Sequence, residues 1–167
     1  MHVGALETLA LIASLAAVIT DLRTRRIPNW LTGALAAAGL GMSFAGGGLT
    51  PAQAALGLLA GLLLMMPAHV IGATGAGDVK LMAAVGAMIG PGLTLRAFVF
   101  TAIAGGVLAV LVAARRGRLS ETVYGTTQLV TSPVSSRPAI NATTRANRFA
   151  YGPAIAIGTL LSLMVTL

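Results

Sequence analysis

Long apolar runs separated by short polar breaks dominate this sequence. A helix needs ~20 mainly apolar residues to cross a bilayer, with a range of roughly 17 to 25. On that measure the pattern predicts six spans, at 3–20, 30–45, 52–71, 79–89, 95–114 and 151–167. The breaks between them differ in kind. "DLRTRRIPN" is charged, "GGGLTP" carries no charge, "GATGAGD" is glycine-rich, and "GPG" at 90–92 interrupts an otherwise continuous apolar stretch. The one long polar piece runs from Arg115 to about residue 150. Its 118–130 part is weakly amphipathic and suited to a membrane surface, and the rest reads as irregular, being rich in Ser, Thr, Pro and Asn.

Composition supports the pattern. The 167 residues are 56% hydrophobic and 9% charged, whereas a soluble domain typically carries about 25% charged residues. Aromatics make up 4%, so the apolar mass is Ala, Leu, Val, Gly and Met. Such side chains suit thin helices packed closely in a membrane. The fold class expected is all-α, one polytopic transmembrane domain over 1–167. The N-terminus has an apolar stretch without the positive region of a secretory signal and carries Glu7, so it reads as a retained first span.

The net charge of +7 raises a nucleic-acid reading, which the distribution disfavours because the charges sit at segment ends and form no basic stripe. Arg23, Arg25, Arg26, Lys80, Arg115, Arg116, Arg118, Arg137, Arg145 and Arg148 fall on one side of a six-span layout, with Arg96 alone on the other. The positive-inside rule then puts the loops at about 21–29, 72–79 and 115–150 in the cytoplasm and both termini outside. This predicts a multi-pass protein of the cell inner membrane, surrounded by lipid. Asn141 and Thr143 form a glycosylation sequon, discounted on the cytoplasmic side. Gly57–Gly61 and Gly86–Gly90 have the GxxxG spacing of either a homodimer face or close packing within the bundle, the second being the commoner use.

The chain has no cysteine, which excludes disulfides, Cys-based zinc sites and a thiol nucleophile. Its acids are Glu7, Asp21, Asp78 and Glu121. Asp21 ends the first span and Asp78 opens the fourth, both at the cytoplasmic boundary. A carboxylate at membrane depth costs on the order of 2.5–3.5 kcal/mol on insertion scales, so it marks a candidate site. The plainer reading makes each a helix-end residue, Asp78 as an N-cap. Two carboxylates meeting in a low-dielectric site share a proton, and one acts as base on a water while the other polarises a carbonyl. That chemistry requires no cofactor and no metal. Gly75 and Gly77, just before Asp78, leave room for a substrate backbone and allow positive φ.

"GAGDVKL", the upstream "DLRTRRIPN" and the C-terminal "YGPAIAIG" together resemble the prepilin peptidases, GxGD-type intramembrane aspartic proteases that process type IV prepilins. The resemblance implies that Asp21 and Asp78 are the catalytic pair. It also implies a prepilin substrate with a short basic leader, cut before its hydrophobic helix. The short length looks like the Flp/Tad-pilus branch. The larger members' four-cysteine motif and N-methyltransferase region have no counterpart in this sequence, so methylation is not expected.

Around this pair, Pro28, Asn29, Gly152 and Pro153 are expected to shape the site, the last two by bending or starting the final span near it. Lys80 either favours the ionised Asp78 or snorkels to the headgroups. Arg23, Arg25 and Arg26 serve topology or attract an acidic part of the substrate. His69 is expected to pack or cap. The role of 119–150 is open. The main rival is a small proton-coupled transporter or channel using the two acids, and a non-catalytic pilus-assembly component is the third reading. Transporters often show inverted repeats with midplane acids, and this chain shows neither.

Overall fold

A computed structural model describes residues 5–24, 27–46, 48–115 and 151–165. Five helices and no strands are found among the described residues: α1 (Ala5–Thr24), α2 (Asn29–Phe44), α3 (Pro51–Val70), α4 (Ala76–Arg115) and α5 (Gly152–Met164). The all-helical class is as expected. Two helices, α3 and α4, are long and apolar enough to cross a membrane. The surface stretch at 118–130, Glu121, the sequon and most of the basic 115–150 segment lie outside the described residues, as do Arg25 and Arg26.

α4 contains a break at Gly90, which takes φ 77° and ψ 171°. Pro91 follows, and its missing N–H and fixed φ suit the first residue of a new helical run. The break predicted at "GPG" is therefore real, but helix resumes at once rather than at residue 95. The two limbs, 76–89 and 91–115, differ in role. Every residue from 81 to 90 is buried, so the first limb is the axis of the bundle. α4 as a whole touches all four other helices, and α5 also packs on α1.

Two other boundaries move. α1 continues through Asp21 to Thr24, because the residues after the last apolar position contain no Gly or Pro to stop a helix. α4 starts at Ala76, so Asp78 lies inside its first turn. α3 begins at a reciprocal cap in which the Thr50 side chain accepts from the Gln53 N–H and the Gln53 side chain accepts from the Thr50 N–H. It ends in a Schellman motif: Gly72 at φ 81° donates its N–H to the His69 carbonyl, and Ala73 donates to the Ala68 carbonyl.

The helices pack through small residues. A Cβ on Gly57 would run into the Gly86 carbonyl, one on Gly61 would meet the Met82 backbone, and one on Gly158 would meet Thr101. The GxxxG glycines thus bring α3 against the first limb of α4 within one chain, as close packing requires. α1 buries Leu6, Ala10, Ala13, Ser14, Ala17 and Asp21 on one face and turns Ile12, Leu15, Ile19 and Leu22 outward. Small side chains inside and large aliphatic ones outside reverse the order of a water-soluble core.

Candidate functional site

The glycine-rich break between α3 and α4 assigns each glycine a different job. Gly72 ends α3 with a left-handed residue, a conformation that penalises a side chain. Gly75 precedes α4 and donates its N–H to Asp78 Oδ2 at 3.0 Å. Gly77 presents its bare α-carbon to Ile27, whose Cβ would sit 3.1 Å from an added methyl. Neither Gly75 nor Gly77 has positive φ. That expectation fails because the chain turns at Gly72, and by Gly77 it is already helical. Asp78 is likewise not the N-cap. It sits in the first turn and reaches back to satisfy an N–H that the helix leaves unpaired, where the helix dipole also favours a carboxylate.

The loop itself is pinned. His69 Nδ1 lies 3.1 Å from the Thr74 carbonyl oxygen, so His69 clasps the turn that follows its own helix. The Thr74 hydroxyl is buried with no hydrogen-bond partner among the described residues.

Asp21 reaches the site from the last turn of α1. Its Oδ2 accepts the N–H of Gly152 at 3.0 Å, so the carboxylate caps the start of α5. A Cβ on Gly152 would stand 2.9 Å from that oxygen, which is closer than the contact tolerates. Pro153 follows at a position where a helix makes no use of the N–H. Tyr151, just before Gly152, packs its hydroxyl against Gly105 of the second limb of α4.

Asp21 and Asp78 are 6% and 8% exposed, a degree of burial that carboxylates rarely reach unless partnered. Pro28 starts α2, its carbonyl accepting from the N–H groups of Leu31 and Thr32. Lys80 donates from Nζ to Asn29 Oδ1 at 2.8 Å. Glu7 lies in the first turn of α1, about 21 Å from Asp21 at ~1.5 Å per residue. No cluster of three or more His, Cys, Asp or Glu suited to a metal occurs among the described residues.

Ile27 and Tyr151 are the site residues that sequence reasoning did not single out. Ile27 carries no signal, being one apolar residue in a charged stretch. Tyr151 was visible only as the first letter of "YGP".

No curated protein and no solved structure matches the chain. The profile of the type IV leader peptidase family matches residues 8–110, which contain both aspartates and the whole glycine-rich break. With most of its length matched and the two acids of that region buried against backbone donors, the chain is a member of the type IV leader peptidase family, and so a protease of a membrane-associated group.

Proposed function

We propose that the protein is an intramembrane aspartic endopeptidase that removes the leader peptide of type IV prepilins of the Flp type at the cytoplasmic face of the inner membrane. Asp21 and Asp78 are its catalytic pair. The observation that supports this reading is that the two acids of the matched region are both buried and each accepts a backbone N–H, Asp78 from Gly75 and Asp21 from Gly152.

The chemistry follows from two carboxylates sharing one proton. The ionised carboxylate takes a proton from water as the water oxygen bonds to the scissile carbonyl carbon. The protonated one gives its proton to the carbonyl oxygen. When the tetrahedral centre collapses, one of its hydroxyls returns a proton to the pair as the C=O re-forms. The C–N bond breaks, and the leaving nitrogen takes a proton from the pair, which is left singly protonated. Hydrolysis of this kind needs no cofactor, and N-methylation is not part of the activity proposed.

The membrane setting rests on the outward-facing aliphatic surface of α1 and on the lengths of α3 and α4. With the break at Gly90, the five helices supply six apolar segments. The charge distribution orients them with the basic connections in the cytoplasm and both termini outside. The chain is then a multi-pass protein whose partners are lipid and prepilin. Since Gly57 and Gly86 are consumed in packing within the chain, those glycines do not support a homodimer.

Purified protein in liposomes, incubated with a Flp-type prepilin, tests the proposal. Mass spectrometry should place the cut after a glycine, on the cytoplasmic side of the substrate helix. A cut on the opposite side of that helix contradicts both orientation and assignment.

A further inference from the structure

The connection between α1, which ends at Thr24 one turn beyond Asp21, and α2, which starts at Asn29, is short. It comes to rest on α4 at two points. Ile27, 8% exposed, packs on Gly77, and Asn29 accepts the Lys80 ammonium. Gly77 and Lys80 flank Asp78 in the chain, so both contacts land on the turn that carries the second acid. A few residues can span only about 3.3–3.6 Å each. Wherever Ile27 and Asn29 are held, the end of α1 must follow.

We propose that Lys80 and Asn29 are positioning residues whose hydrogen bond, together with Ile27 on Gly77, ties the α1–α2 connection to the first turn of α4. The tie sets where Asp21 stands relative to Asp78. This rests on the reading of Asp21 and Asp78 as the catalytic pair. It gives Lys80 a role distinct from favouring the ionised Asp78 or snorkelling to the headgroups, and it gives Asn29, directly after a proline, a partner on α4. Pro28 fixes the entry to α2, so the Asn29 side chain is presented from a backbone of set direction.

A double-mutant cycle on prepilin cleavage, with membrane levels of every variant measured, tests the tie. Lys80→Met and Asn29→Leu should each lower kcat about tenfold with KM unchanged, since small misplacements of reacting groups are costly. The double variant should lose no more than either single one, because one interaction is removed in all three. The exchanged pair, Asn29→Lys with Lys80→Asn, rebuilds a donor and an acceptor across the same gap and should recover most of the loss. Asn29→Asp, which keeps an acceptor and perturbs the fold least, should retain activity. Additive losses in the double variant, or no recovery in the exchanged pair, would overturn the tie. If those outcomes occur while Asp21→Asn and Asp78→Asn remain inactive, the catalytic assignment stands and only the tie fails. A wild-type protein that does not cleave prepilin removes both.

Discussion

Asp78 and Asp21 each accept a backbone N–H at 3.0 Å, yet the two anchors are built in opposite ways. Asp78 bonds to Gly75, three residues away in its own turn. Asp21 bonds to Gly152, on a helix 131 residues further along the chain. The first anchor forms as soon as α4 starts, in a turn whose glycine is exposed although the Asp78 side chain is buried. The second exists only when α1 and α5 have packed together. One half of the site is local chemistry, and the other half is tertiary structure. Damage to the two should therefore have different consequences.

The largest effect is expected where the two halves are equivalent. Asp21→Asn and Asp78→Asn keep shape but cannot exchange the proton, and each should lower cleavage by roughly a thousandfold or more, within the ~10²–10⁴ that general acid–base catalysis contributes. In the proposed mechanism only the singly protonated pair is active, so cleavage should also fall at both pH extremes. Next come the Glu replacements. A lengthened side chain at either position misplaces the carboxylate by about 1 Å, which costs on the order of a hundredfold.

The anchors separate in the third test. Gly152→Ala drives a methyl toward Asp21 from a helix packed on both α1 and α4, so the carboxylate must yield, and kcat should drop about ten- to a hundredfold. Gly75→Ala brings a methyl 3.1 Å from Asp78 Oδ2, but the turn is exposed and can relax. Its loss should stay within a few-fold, about 1 kcal/mol or less. Equal losses at the two glycines would erase the distinction between a local and a tertiary anchor. The smallest effect belongs to Glu7→Gln, which should cleave at the wild-type rate as its carboxyl lies at the other end of α1.

The same contrast explains what could be read from the sequence. Helix 51–70 was legible to within a residue because a long apolar run bounded by Thr-Pro and a glycine cluster leaves few alternatives. By contrast, 76–115 reads as two segments, 79–89 and 95–114, since Gly90-Pro91 signals a break without showing that helix resumes at once. Asp78 stands out as a candidate because its glycine-rich turn is contiguous in the chain. The job of each glycine was not legible, since the choice between a left-handed turn at Gly72 and a contact surface at Gly77 depends on Ile27, which arrives from the connection between α1 and α2. The end of α1 was misplaced because apolar content stops at Thr20 while helix-compatible residues continue. The pairing of Asp21 with Gly152, and of Lys80 with Asn29, follows from packing geometry that no local pattern encodes.

The central claim is that Asp21 and Asp78 act on one tetrahedral centre. A prepilin peptide carrying a hydroxyethylene group in place of the scissile bond tests it most directly, because such a mimic binds by contacts made in the transition state. Wild-type protein should bind the mimic at least about a hundredfold more tightly than the uncleaved peptide. Asp21→Asn and Asp78→Asn should each lose that advantage, and the double variant should lose no more than either. Tight binding that survives in either single variant would show that the carboxylates do not share a site.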